Sequence, residues 1–131
     1  MAHYKPSEKE MEIVVGLAGN VRYERFIKLV AGWEEAWGLY QDGWALAATD
    51  NEEAVFPLWP AREYAAICAS GIWANYEPEP IEITELTEDL LPRLKIDGVL
   101  PGIFYTPKDT GVITSVDRVI YDLKTEASKY S

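Results

Sequence analysis

Apolar residues spaced three and four apart predict amphipathic helices near both ends of the chain. Ser7 followed by Glu10 has the pattern of a helix N-terminus, and Asn20 offers the cap of a second helix. The second helix is expected to leave Arg22 outside with its other basic residues, and Ser115 to cap the last helix. The stripes predicted to be buried are Met11, Val14, Val15 and Ala18, then Tyr23, Phe26, Ile27, Val30 and Ala31, and finally Val116, Val119, Ile120, Leu123 and Ala127.

Two further helices are predicted in the middle of the chain. Pro60 is expected to start the first, because proline is favoured at the first helical position. Thr84 or Thr87 would cap the second, Pro92 would kink or split it, and Gly98 would end it. The inward residues are expected to be Ala61, Tyr64, Ala65 and Cys68, then Leu86, Leu90, Leu91 and Leu94.

Asp42-Gly43 lies between two apolar runs, residues 37–41 and 44–48. This pattern predicts a tight two-residue hairpin that pairs Gln41 with Trp44 and places Trp37 on the same bulky face. The opposite face would carry mostly small side chains and would let a helix come close.

The remaining strands are predicted to be short and irregularly spaced. They fall at Val55-Phe56, at residues 81–83, at 99–106 and at 112–114, while residues 73–80 read as an extended connection. The Pro-Gly pair inside 99–106 predicts an edge position or a bulge. We therefore expect a single small α+β domain with a mainly antiparallel sheet, a central Asp-Gly hairpin and about five helices.

Composition supports one compact domain with an unevenly charged surface. The chain has 131 residues, of which 48% are hydrophobic, and a formal net charge of -10. Residues 29–92 hold thirteen acidic residues and one basic residue, Arg62. Such a field repels nucleic acid and anionic membranes and attracts a basic partner, although an acidic surface also serves plain solubility.

Few residues suited to catalysis or metal binding are present. The chain has one histidine, His3, expected in a loose tail, and one cysteine, Cys68, expected to be a buried hydrophobe. Residues 50–53 lack the spaced ligands of a calcium loop and read as a solvated turn. We predict no catalytic residue, no metal and no cofactor, and the balance is against an enzyme. The apolar runs are short and the start of the chain lacks an apolar leader, so a cytoplasmic location is expected.

Five tryptophans fall between residues 33 and 73. Trp37 and Trp44 are predicted in the core, whereas Trp59 and Trp73 lie at element ends and are expected to be partly exposed. Arg62 could hold a carboxylate or phosphate group, or pair with a nearby acid. The candidate binding residues are Trp59, Arg62, Glu63, Tyr64 and Trp73.

One set of residues resembles a known family in both order and spacing. It comprises Arg22 with Phe26, Trp37-Gly38-Leu39-Tyr40, Gly43-Trp44-Ala45, Pro57-Leu58-Trp59-Pro60, Glu63-Tyr64-Ala65, Trp73 and, more loosely, Asp97-Gly98. These residues resemble the uncharacterised bacterial domain of unknown function family 2750 over residues 20–125. The resemblance implies a small bacterial α+β domain and no established activity or site. Residues 1–19 would be a helical extension and 20–131 the domain proper.

The sequence leaves three functions open. The first is a protein-interaction module with an acidic, Trp-rich docking face, such as an immunity-type or regulatory partner of a basic protein. The second is a binder of an anionic small molecule, or an enzyme, with a pocket near Pro60–Tyr64. The third is a homo-oligomeric structural domain.

Overall fold

The computed structural model describes residues 2–130. Helices are α1 (Glu8–Val14), α2 (Gly19–Trp33), α3 (Arg62–Cys68), α4 (Ile83–Glu85), α5 (Leu91–Asp97) and α6 (Val116–Ala127). A π-helical segment, Leu86–Leu90, joins α4 to α5, and two 3₁₀ turns cover Gly71–Trp73 and Ser128–Tyr130. Strands are β1 (Glu35–Tyr40), β2 (Ala47–Ala48), β3 (Ala54–Leu58), β4 (Glu77–Glu82), β5 (Leu100–Ile103) and β6 (Val112–Ile113).

The strands form two sheets, and most of their pairings are antiparallel. β1 pairs with β4, and the second sheet has the order β2-β3-β5-β6, in which β3 and β5 are parallel. Trp37 and Trp59 exchange backbone hydrogen bonds of 2.8 and 2.9 Å and so join β1 to the end of β3. The expected α+β class, with mainly antiparallel pairing, is confirmed.

The Asp-Gly turn is present, but the predicted hairpin register is wrong. Tyr40, not Gln41, bridges to Trp44, and β2 then leaves to pair with β3. A shift of one residue reverses the faces of a strand, so Ala45 is buried and Leu46 is exposed. At Gly38 an added Cβ would lie 2.8 Å from a ring carbon of Trp44, so the small residue makes room for an indole rather than a helix.

Residues 77–80, expected to be part of an extended connection, join the predicted strand residues Ile81 and Glu82 in a full partner strand for β1. Pro78 and Pro80 stand opposite Leu39 and Trp37. Ile83 N–H donates to Glu34 O at 2.9 Å, and hydrogen-bonded and non-hydrogen-bonded pairs alternate along an antiparallel ladder. The two prolines therefore fall at the pairs where β4 donates no hydrogen bond to β1. Alternating prolines therefore fit an edge strand.

The prediction of an edge position for residues 99–106 is also wrong. β5 lies between β3 and β6, and it ends where Phe104 turns to a φ of 68°. At Gly102 a Cβ would lie 2.6 Å from a methyl carbon of Val55, so only glycine lets the two strands pack this closely.

The buried faces of the helices agree with the prediction more closely than the residues at which the helices begin and end. Ser7 and Ser115 cap α1 and α6 as expected. Asn20 lies inside α2, which is capped at Ala18, and Pro60 lies before the Ala61 cap of α3.

The helix around Pro92 continues through its proline instead of beginning at a threonine. Glu82 caps α4, so neither Thr84 nor Thr87 is the cap. The π-helical segment precedes Pro92, and wider π turns accommodate a residue without an N–H. Gly98, with a φ of 72°, ends α5 as expected.

Two expectations about which residues pack in or against the core are wrong. Arg22 is 1% exposed and lies within the core instead of outside. His3 is not in a loose tail, because its Nδ1 lies 2.6 Å from Glu35 Oε2 and its ring packs against Trp37. None of the helices in the described part of the chain has the length and apolar stretch that a membrane crossing requires.

Candidate functional site

The five candidate binding residues do not form one accessible site. Trp59 is fully buried, against the expected partial exposure, and Tyr64 is only 1% exposed. Trp73 is half-buried with its ring 6.2 Å from that of Trp59. Arg62 is exposed and Glu63 is half-buried at the start of α3. The structure therefore divides the set into core residues and surface residues.

Trp59 and two other buried polar groups hold the turn after β5. The Trp59 indole N–H donates to Tyr105 O at 2.9 Å, and the Cys68 thiol lies 3.4 Å from the same oxygen. The Arg22 guanidinium donates to the backbone oxygens of Leu17, Phe104 and Thr110. These side chains satisfy the backbone of an irregular loop, which is a structural role.

Cys68 is buried, as expected, and burial raises the pKa of its thiol to about 11. A thiol with this pKa stays protonated at neutral pH and is a poor nucleophile.

Tyr64 lies over a polar cluster between α1, α2 and α3. Glu10 accepts a 2.8 Å hydrogen bond from Arg25 and also pairs with the Tyr4 hydroxyl. Burial, and then the negative charge of Glu10, raises the pKa of Tyr64 to about 12, which keeps the hydroxyl neutral.

Arg62 forms no ion pair with any described residue, so the predicted pairing with Glu63 is not found. It lines a groove of about 660 Å³ between α1 and α3 together with Lys5 and Glu63. The floor of this groove is mostly apolar and includes Met11 and Ile67.

A different concavity combines acidic side chains with an exposed tryptophan. It has a volume of about 570 Å³ and lies where the end of α2, the start of β1, the end of β4 and α4 meet. We call it the acidic concavity, and its lining residues are Ala2, Gly32, Trp33, Glu34, Glu35, Pro80, Glu82 and Glu85.

Local backbone geometry brings the four carboxylates together. Glu34 caps α2 with a φ of 63°, a left-handed conformation that turns the chain sharply into β1. The β1–β4 register then sets Glu35 directly opposite Glu82. Glu82 accepts a hydrogen bond from Glu85 N–H at 3.4 Å and starts α4, which keeps Glu85 at the same corner.

The carboxylates of the acidic concavity have little positive charge to balance them. Like charges directly opposite on paired strands repel and destabilise the pairing. His3 contacts Glu35, but no described basic residue forms an ion pair with Glu34, Glu82 or Glu85. Among the described residues, the site therefore has an excess of negative charge, which attracts a cation.

Trp33 supplies the aromatic wall of the acidic concavity. It is 45% exposed, and one of its ring contacts is to Tyr4 at 5.8 Å between centroids. A cation held over an indole face is attracted by the ring quadrupole, and neighbouring carboxylates strengthen the attraction. Among residues 2–130 no group of three or more His, Cys, Asp or Glu side chains is arranged to hold a metal ion. The indole and the carboxylates of the concavity are groups that attract an organic cation.

Sequence reasoning missed this site for one reason. Glu82 and Glu85 come close to Glu34 and Glu35 only through the pairing of β4 with β1, and the sequence predicts residues 77–80 of β4 as a connection and names no partner for residues 81–83. The available signal was the alternation of proline and glutamate in residues 77–80. This alternation fits an edge strand whose backbone N–H groups donate to a neighbouring strand on one side only.

These observations define a small α+β domain with an acidic surface concavity and no recognisable catalytic set among its described residues. The family model for proteins of unknown function designated DUF2750 matches residues 23–123, so the chain belongs to this family. The match confirms the resemblance read from the motif residues, several of which build the core. Comparison with curated proteins finds no match.

Proposed function

We propose that this protein is an interaction module that binds a basic segment of a partner protein at the acidic concavity. A lysine or arginine side chain of the partner would lie against Trp33 and between Glu82 and Glu85. The observation that carries the proposal is the direct opposition of Glu35 and Glu82 beside an exposed indole.

The surrounding charge supports the same partner chemistry. Glu77 and Glu79 are also exposed on β4 and add to the negative charge near the concavity, although strand alternation places them on the opposite face from Glu82. Electrostatic attraction of this kind accelerates encounter and favours partners of opposite charge. The proposed partner is therefore a basic protein, of the kind that an immunity-type or regulatory protein would neutralise.

Calorimetric titration with an oligolysine peptide tests this proposal. We expect binding that weakens steeply with added salt, because the contacts are between exposed charges. Replacing Glu82 and Glu85 with glutamine should weaken it roughly tenfold, and Trp33→Ala should weaken it further.

The matched control is the double variant Asp50→Asn with Glu52→Gln. It removes the same amount of charge from an exposed turn outside the concavity. It should bind nearly as well as the unmodified protein. Equal losses in both double variants, or no binding at low salt, would refute the acidic concavity as the docking site.

A second candidate function is a binder of small amphipathic anions in the groove between α1 and α3. It is favoured by Lys5 and Arg62, which form no ion pair with a described residue and line one mostly apolar groove. Glu8, Glu12 and Glu63 line the same groove and limit its positive charge. A thermal-shift screen of anionic metabolites should then give stabilisation that Arg62→Ala removes and Lys108→Ala retains. If no anionic metabolite in the screen raises the unfolding temperature, this candidate has no support.

A further inference from the structure

The first residues of the described chain lie against the acidic concavity. Ala2 lines it, His3 bonds to Glu35 at its wall, and the ring of Tyr4 contacts that of Trp33. We call residues 2–4 the N-terminal strap.

His3 makes the two kinds of contact that the proposed function assigns to a partner's basic residue, here with Glu35 and Trp37. Its Nδ1 lies 2.6 Å from Glu35 Oε2, so the ring N–H donates to a carboxylate. Its ring also meets the Trp37 indole edge to face, with centroids 5.4 Å apart. One side chain thus combines a carboxylate contact with an aromatic contact, which is the chemistry of the site itself.

The strap is fixed at one end and weakly held at the other. Pro6 is buried and the Tyr4 hydroxyl bonds to Glu10, so the chain is anchored just after the strap. The His3 side chain is 49% exposed, and exposed ion pairs contribute little to stability. A competitor of higher charge can therefore displace His3 without unfolding the protein.

The ring on which His3 packs also carries an unsatisfied polar group. Trp37 is 4% exposed, and its indole N–H has no acceptor among the described residues. His3 packs on this ring without accepting that hydrogen bond. A partner backbone that replaced the strap could offer a carbonyl oxygen, and a buried donor gains from such a bond.

We infer that the N-terminal strap is an internal competitor that occupies part of the acidic concavity, and that a basic partner binds by displacing it. This inference rests on the proposed function and adds a regulatory step to it. Displacement would free the Glu35 carboxylate and remove the His3 ring from Trp37 and the Tyr4 ring from Trp33. The open site then has a larger aromatic and acidic surface than the closed one.

The test is a titration of the protein with an oligolysine peptide, read in two ways. His3→Ala should raise the affinity roughly twofold to fivefold, because the competitor contributes only the strength of an exposed pair. Lys5→Ala is the matched control, since it removes a cation from the same segment but lines the other groove. Its affinity should stay nearly unchanged.

The second reading follows His3 directly. It is the only histidine of the chain, so its imidazole protons give an isolated NMR signal. Added oligolysine should move this signal toward that of a free imidazole, in step with binding.

The outcomes separate the two proposals. Binding with an unmoved imidazole signal, and with His3→Ala no tighter than the control, overturns the strap inference and leaves the proposed function intact. Absence of binding to every variant, including His3→Ala, overturns both. Binding only after His3→Ala supports both proposals.

Discussion

Arg22 shows at the scale of a single residue how a polar group becomes part of the core. Arg22 lies on a helix that carries other basic residues, so the sequence does not indicate that its guanidinium is buried. The surrounding backbone explains it, since the carbonyl of nearby Leu17 and those of Phe104 and Thr110, in one distant loop, converge on its five donors. Asp109, 3.8 Å away and largely exposed, adds only a weak ion pair.

Replacement of Arg22 with methionine is expected to destabilise the protein by about 3 kcal/mol. Methionine fills much of the volume but leaves the carbonyls of Leu17 and Phe104 without their donor, and unsatisfied buried groups are costly. Urea unfolding measures the loss. Arg93→Met is the control, because Arg93 is exposed and its pair with Asp89 contributes about 0.5 kcal/mol or less. Equal effects for both variants would contradict a structural role for Arg22.

Gly38 gives a second prediction at this scale. A methyl group there would lie 2.8 and 2.9 Å from two ring carbons of Trp44, and a rigid indole has little room to move. Gly38→Ala should cost about 1–3 kcal/mol and change the near-UV circular dichroism of Trp44. Gly16→Ala should stay within about 0.5 kcal/mol, because its nearest neighbour is 3.6 Å away. A neutral Gly38→Ala would show that the ring adapts freely.

At the scale of elements, local patterns predicted the helices better than the strands. Most residues of the stripes on α2, α3 and α6 are buried as expected, because helical spacing depends only on nearby residues. Strand pairing joins distant residues, so the partner of β1 could not be read from the Asp-Gly turn. The acidic concavity was unpredicted for the same reason, although the excess of acidic residues that feeds it was visible in the sequence.

The β4 strand allows a direct test of its hydrogen-bonding side. Glu79 stands opposite Gly38 and lies on the side whose N–H groups face β1. Glu79→Pro removes such a donor and should destabilise the protein by about 3 kcal/mol. Pro78→Ala, one residue earlier on the solvent side, should change stability by less than about 1 kcal/mol. Chemical denaturation measures both, and the reverse order would exclude this register.

For the whole molecule, the important property is where the negative charge falls, not its total. The acidic middle segment is spread over several elements, but four of its glutamates line the acidic concavity. Of the tryptophans in that segment, Trp33 is the exposed one, whereas Trp37 and Trp59 are buried. A binding site built from repelling charges should reduce stability in exchange for affinity.

Glu82→Gln tests this exchange. It removes the repulsion with Glu35 while keeping an oxygen that can cap α4, so stability at low salt should rise by about 0.5 kcal/mol. The same substitution should weaken oligolysine binding. Glu52→Gln removes an equal charge from an exposed turn, and it should change both the stability and the oligolysine binding less than Glu82→Gln does. Thermal unfolding and calorimetry measure the two effects, and added salt should erase the stability difference by screening. If Glu82→Gln stabilises no more than Glu52→Gln, the opposed carboxylates are not under strain and the concavity loses its main reason to bind a cation.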